Sequence, residues 1–413
     1  MIAAAEAHRR VLDAVLPGPT ETLGLGDAAG RILRAAVRAD RPAPPHDRVM
    51  MDGYALAFRA WEAGRRKFRR AGTVAAGEMP AALPEAGAVL EVMTGAVLPE
   101  GCDTVVPVEA RVGEDAEEIL LEDPFGQPLR RGNAVHACGS GGAAGRTVLA
   151  PGDRLGPGEL GVAATEGAVR LEVNAVPRVL LLTTGDEVVD PAETPLPHQI
   201  RGSHALALEG LFRAQGEVRW RHRHLPDCEE VLRGALADAF AEVDFLFLAG
   251  GVSKGQRDYL PDLLGELGVE RIFHRVAQRP GHPLWFGRHG AVPVFGFPGN
   301  PLSALCCARR HAVPALDRWR GAGEPAVPRL RPTEPLAARP GSTGFHPVRV
   351  EAGGRACPTA PLNSGDLHAL AGTDGFLECP PAEEIEEEGP EGGEGSAAGL
   401  DAAGFLPFYA WRA

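Results

Sequence analysis

The sequence predicts a multidomain protein of mixed α/β and β class: a three-layer α/β domain, a β-rich insert and a small C-terminal β domain. Three observations carry this. A chain of 413 residues exceeds what one hydrophobic core ordinarily organises. Between 174 and 322, near-continuous apolar runs alternate with helical patterns, as buried parallel strands and their crossover helices do. Elsewhere, short apolar runs are separated by turns, in keeping with 53 glycines and 37 prolines.

Residues 1–16 place apolar side chains at helical spacing, interrupted by Glu6, His8, Arg9, Arg10 and Asp13. That pattern is an amphipathic helix rather than the unbroken apolar stretch of a signal peptide, and it is expected to pack on the α/β domain. Segments 17–45 and 133–173 flank the insert as a linking domain, entered through prolines at 42–45. The insert, 46–132, contains AVLEVMTGAVLPEG, CDTVVPVEAR and EEILLEDP, short apolar runs between Gly/Pro turns. In 174–322, RVLLLTT (178–184) and VDFLFLAGG read as strands buried on both faces. SHALALEGLFRAQG, CEEVLRGALADAF and DYLPDLLGEL read as helices, EVRWRHR and AVPVFGFPGN as further strands. PLSALCCARRHAVPALDRW is a closing helix with Pro301 at its start. The last stretch, 323–413, has short extended segments, an acidic loop at 383–394 and the terminal run GFLPFYAW.

The formal charge of −13 is uneven, because seven acids lie between Glu383 and Glu394. Without them the balance is about −6, which argues against nucleic acid or an anionic membrane as the partner. Seven cysteines without any CxxC fit reduced thiols, and no segment approaches the length of a membrane span. A cytoplasmic location is expected.

In open α/β sheets ligands bind where the strands end, and three loops there carry unusual chemistry. TTGDEVV sets Gly185 before the acids Asp186 and Glu187, although the same residues also read as a plain capped turn. GGVSKGQRD opens with Gly250 and Gly251, and Ser253 follows; converging backbone N–H groups suit an anion, and Asp258 is a candidate metal carboxylate. GFPGNPLS brackets a Gly-Asn turn with Pro298 and Pro301 and brings Ser303 into the first helical turn. Acids and anion cradles at one sheet edge suggest a nucleotide or phosphate bound through a divalent cation, with Mg²⁺ expected. A fourth segment, QRPGHPLWFG, holds Arg279 and His282 each directly before a proline, on a stiffened turn.

In the insert, PPHDRVMMDGYALAF places Asp47 and Asp52 on either side of Met50 and Met51, read as a buried pair; Asp52-Gly53 also suits a plain hairpin. Thr94 ends a neighbouring strand. GLGDAAG lacks the strand and spacing of a dinucleotide fingerprint, and no P-loop occurs. His222 and His224 share a strand face and read as solvated more readily than metal-binding, and Cys306 and Cys307 read as core.

PPHDRVMMDGYA, VMTGAVLPEGCDTVV, LLTTGDEVV, LAGGVSKGQRD, FHRVAQRPGHP and FGFPGNPLSA together resemble the MoeA family, also found as the C-terminal part of gephyrin. The resemblance implies a homodimer of four-domain subunits whose α/β domain binds molybdopterin. It implies Mg²⁺-dependent cleavage of adenylyl-molybdopterin, release of AMP and ligation of molybdate by the dithiolene. Asp47, Asp52 and Thr94 would face the pterin pyrophosphate across the dimer. Asp186, Glu187 and Asp258 would hold the cation, while Gly185, Gly250, Gly251 and Ser253 would cradle phosphate. Arg279 and His282 stand where the family commonly has two lysines that attract molybdate, with Ser303 and Ser364 at hydroxyl positions of the same pocket. Pro347 occupies a place where the family often has arginine, and Arg349 on the same strand face is the expected substitute. His204 replaces a usual asparagine. Partners implied are the molybdopterin adenylyltransferase and apo-molybdoenzymes. Because histidine loses its charge near neutrality, oxyanion affinity of such a turn should depend on pH. Two alternatives stay open: a non-catalytic molybdopterin-binding paralogue of the same family, and a Mg²⁺-dependent nucleotide pyrophosphatase.

Overall fold

The computed structural model describes residues 1–79, 81–250, 260–383 and 404–412. The chain divides into two compact units, Met1–Ala35 with Pro151–Leu160 and Arg170–Ala413, and Ala36–Ala150 with Gly161–Val169.

In the first unit, helix α1 (Ala4–Ala14) precedes strand β1 (Arg178–Thr184), α2 (His204–Ala214) and β2 (Arg219–Leu225). Then come α3 (Glu229–Ala239), β3 (Phe245–Ala249), α4 (Leu260–Glu266) and β4 (Glu270–His274). Strands β5 (Val276–Arg279), β6 (Trp285–His289) and β7 (Val292–Phe297) lead to α5 (Pro301–Cys307). A π-helical turn, Ala308–Ala312, joins α5 to α6 (Val313–Arg320).

Six strands form one sheet in the order β2-β1-β3-β7-β6-β4. The first four are parallel, and β6 and β4 add an antiparallel edge. Strict alternation builds the three layers. Phe245, Phe247 and Ala249 of β3 face α1, α2 and the α5–α6 segment, in a core with Phe295, Phe297 and Trp319. Leu246 and Leu248 face the other way, onto Leu232 and Leu236 of α3 and Leu263 and Leu264 of α4. A run apolar at every position is thus required, because both faces are covered.

The C-terminal strands β8 (Arg329–Pro332), β9 (Thr343–Val350), β10 (Arg355–Pro358), β11 (Gly375–Cys379) and β12 (Leu406–Ala410) form a closed ring, since β9 pairs with both β10 and β11. Strand β5 lies outside the α/β sheet and pairs with β9, Gln278 opposite Thr343 and Arg279 opposite Gly344. Its other edge takes Ile2–Ala3. The same junction carries a buried ion pair: Arg310 donates from Nε and Nη2 to Glu378 at 2.7 and 3.3 Å.

The second unit is a six-stranded sheet, Thr104–Pro107, Gly53–Leu56, Ala88–Val92, Lys67–Val74, Glu118–Leu121 and Arg111–Val112 in spatial order. Tyr54, Leu56, Phe68, Val106 and Ile119 fill one side and Val49, Ala55, Leu90 and Val105 the other. Gly53 is required by close approach, because a Cβ there would lie 2.1 Å from the Val106 carbonyl oxygen. Apart from Glu383, which accepts from the Gly341 N–H, the acidic run at 383–394 lies outside the described residues.

Candidate functional site

A cavity of about 850 Å³ opens at the carboxyl ends of β1, β2, β3 and β7, between them and the C-terminal ring. Thr184, Gly185 and Glu187 enter from β1, Asp227 from the turn after β2 and Gly250 from the end of β3. The turn after β5 contributes Arg279 to Pro283, and the loop after β7 contributes Pro298, Gly299, Asn300 and Ser303. The ring supplies Arg339, Phe345, His346, Asn363 and Ser364.

The turn from Arg279 to His282 is tightly tied. Val276 N–H donates to the His282 carbonyl at 3.0 Å, and the His282 Nδ1 lies 3.1 Å from the Val276 carbonyl. Among the described residues the Arg279 guanidinium has no ion-pair partner. Arg279, His282 and Arg339 also line a neighbouring cavity of about 470 Å³. Burial, reinforced by Arg339, holds the His346 imidazole below its ordinary range, so it enters the cavity wall neutral. This part of the cavity wall is therefore positive through guanidinium groups above all.

Another part of the lining is acidic. Gly185 adopts φ 137°, and the turn it starts is closed by Val188 N–H donating to its carbonyl at 3.0 Å. Glu187 faces the cavity, whereas Asp186 is not part of its wall: its Oδ1 accepts from the Asp227 N–H at 3.2 Å. The Asp186 carboxylate thus anchors the turn that presents Asp227. Gly250 has φ 97°, and a Cβ there would lie 2.8 Å from the Thr184 carbonyl. Gly251, Ser253 and Asp258 lie outside the described residues. No group of three metal-ligating side chains occurs among the described residues. Glu187 and Asp227 are nonetheless oxygen donors of the kind that suits Mg²⁺, which keeps most of its shell as water and phosphate.

Around α5 the two prolines differ. Pro298 lines the cavity, while Pro301 is the first residue of the helix, after Asn300 at the cap position. The Asn300 Nδ2 donates to Ser364 Oγ at 2.6 Å, linking this loop to the ring, and Ser303 is buried in the wall. Arg349 does not reach the cavity; its Nε donates to the Gly372 carbonyl at 3.2 Å, and the arginine that the ring brings in is Arg339. His204 begins α2, half-buried near Gly299 but outside the lining. His222 and His224 are exposed on β2, and both rings share the Thr183 hydroxyl, at 2.9 and 3.0 Å.

In the second unit, Asp52 Oδ1 accepts from both the N–H and the hydroxyl of Thr94, each at 2.7 Å. These bonds hold the exposed Asp52 carboxyl below its usual range. Asp47 accepts from the Cys138 N–H at 2.8 Å. The methionines between them are not buried: Met50 is 57% and Met51 39% exposed. Val49 takes the core position, and the chain then turns outward before Gly53 re-enters the sheet.

Three family models match in register with this architecture. Residues 2–167 match the MoeA N-terminal region (domain I and II), 180–318 a probable molybdopterin binding domain and 329–391 the MoeA C-terminal region (domain IV). A molybdopterin molybdenumtransferase of Synechocystis is 35% identical over 94% of this chain and 95% of its own. The chain belongs to the MoeA family. The protein of that name from Synechococcus elongatus is 37% identical over 74% of this chain and 77% of its own. A crystal structure of a molybdopterin biosynthesis MoeA protein from Pyrococcus superposes over the whole of both chains with a TM-score of 0.77 at 26% identity.

Within the MoeA frame, the cavity draws on two of the three matched stretches, Thr184 to Ser303 on the binding-domain model and Arg339 to Ser364 on the C-terminal one. Sequence reasoning missed Asp227, Asn300, Arg339, His346 and Asn363. A signal for Asp227 existed, since Leu225-Pro226-Asp227 ends a strand beside the GDE loop. The ring residues had none, because only the pairing of β5 with β9 brings them there.

Proposed function

We propose that this chain cleaves adenylyl-molybdopterin in a Mg²⁺-dependent reaction, releases AMP and transfers molybdenum from molybdate to the pterin dithiolene. As a MoeA protein it is a transferase of molybdenum cofactor biosynthesis. The observation that supports the finer reading is one cavity lined by both carboxylates at the strand termini and guanidinium groups at the β5 turn and ring.

A doubly charged tetrahedral oxyanion needs fixed donors and positive charge, which Arg279, His282 and Arg339 offer, with the Ser303 and Ser364 hydroxyls nearby. Glu187 and Asp227, with Asp258, would hold Mg²⁺. Bound there, the cation would neutralise phosphate charge in the bond that breaks. Gly185 and Gly250 leave backbone open to the ligand, since neither presents a side chain. A homodimer would bring Asp47, Asp52 and Thr94 of a second copy to the substrate, the Asp52 carboxyl held below its usual range by its bonds from Thr94.

The test is AMP release from adenylyl-molybdopterin, with and without Mg²⁺ and with and without molybdate. Release that requires both, with molybdenum recovered in the pterin product, is expected. Tight binding without release would overturn the catalytic reading in favour of a binding paralogue, and hydrolysis of unrelated adenylates would favour a pyrophosphatase.

A further inference from the structure

Behind the basic turn, on the side away from the cavity, lies a fully buried polar cluster that the proposed chemistry does not use. Gln278 and His311 are both 0% exposed, as is Cys307. The Gln278 Nε2 donates to the Gly281 carbonyl at 3.1 Å and to Cys307 Sγ at 3.2 Å. The Cys307 thiol in turn donates to the same Gly281 carbonyl at 3.4 Å. The Gln278 Oε1 lies 2.9 Å from His311 Nε2.

This arrangement has only one consistent assignment. The Gly281 carbonyl can only accept, so the amide nitrogen of Gln278 must face it, and Oε1 must face His311. His311 therefore carries its proton on Nε2. Its Nδ1 has no hydrogen-bond partner among the described residues, and burial beside Arg310 and His8 keeps the ring neutral. Every polar atom of the Gln278 side chain is then satisfied. An apolar residue would fill this core position without needing any of these partners, so the amide has some other task.

We infer that Gln278 is a positioning residue, clamping the Gly281 carbonyl so that Arg279 and His282 are presented to the cavity in one fixed geometry. Gly281 has φ 102°, and a Cβ there would stand 2.5 Å from Cys307 Sγ and 3.0 Å from the Gln278 Nε2. The backbone thus sits directly on the clamp with no room for a side chain between. Cys307 ends α5 and His311 lies in the π-helical turn that follows, so the clamp ties the turn to the helix that also carries Ser303. Two sides of the cavity wall share one anchor. The consequence for oxyanion affinity rests on the reading of this turn given under Proposed function; the clamp itself does not.

The test compares the full-length protein with Gln278→Leu, Cys307→Ala and Cys307→Ser. It uses hydrogen–deuterium exchange of peptides spanning 276–284 and calorimetric titration with molybdate alone. Gln278→Leu should speed exchange in that segment while peptides from β3 exchange as in the wild type. It should also raise the molybdate dissociation constant about tenfold. Cys307→Ala should act in the same direction more weakly, and Cys307→Ser, which restores the donor, should reverse it. If Gln278→Leu does not fold, the cysteine pair decides. Unchanged exchange across 276–284 overturns the inference whatever the anion does. Faster exchange with undiminished molybdate binding keeps Gln278 as the anchor and overturns the assignment of this turn as the oxyanion site.

Discussion

The basic and the acidic parts of the cavity wall are built by opposite means. The basic turn is held from behind by buried side chains, Gln278, Cys307 and His311, and flanked by the buried Arg310–Glu378 pair. The acidic part is held by its own backbone: Gly185 closes a short turn, Asp186 accepts one amide, and Glu187 stands in the open wall. The Asp52–Thr94 pair of the second unit is of this exposed kind too. A cation and its water shell tolerate carboxylates that adjust, whereas guanidinium groups around a compact oxyanion gain from being fixed in advance. Removing a buried partner should therefore damage the protein, and removing an exposed one should leave its stability intact.

The largest effect is expected at the junction. Arg310→Met would leave the Glu378 carboxylate buried without its partner and should cost about 3–5 kcal/mol, read as a lowered urea midpoint. Next comes acid. Burial, with Arg310 alongside, pushes His8 down to about 4 from 6.5. The unfolded chain then takes up a proton that the native state refuses, so stability is complete above about 6.5 and falls as pH drops toward 4. His8 alone accounts for on the order of 3 kcal/mol across that window, and His8→Gln should flatten the decline between pH 7 and 5. Gly281→Ala should cost about 2 kcal/mol through its positive φ and the crowded Cys307. It should also weaken molybdate binding in calorimetry. The smallest effect on stability belongs to Thr94→Val, which should leave the melting temperature unchanged while the Asp52 carboxyl titrates at higher pH by NMR. A large loss of stability from Thr94→Val would break the contrast between buried and exposed supports.

The α/β layers were legible because their strands are covered on both faces. FLFLA leaves no polar position and RVLLLTT has polar residues only at its ends, and the turn chemistry after them marks the ligand edge. Gly185, Glu187, Arg279, His282, Pro298 and Ser303 could be read for the same reason, as special residues at strand ends or helix starts, whereas Ser364 came through the family resemblance alone. What failed depended on long-range pairing. Arg349 looked equivalent to its neighbour by strand alternation, but ring closure turned it onto Gly372 and brought Arg339 in instead. Met50 and Met51 looked buried by type, yet Val49 already holds the core position. Gln278 carried no signal at all, because its side-chain partners Cys307 and His311 lie 29 and 33 residues further along the chain.

The central claim is that the basic turn receives the oxyanion, and it is tested most directly by the molybdate dependence of AMP release in Arg279→Ala. The half-saturating molybdate concentration should rise roughly tenfold or more, with the half-saturating adenylyl-molybdopterin concentration unchanged. A molybdate curve that superimposes on the wild-type curve would contradict the claim and move the oxyanion elsewhere.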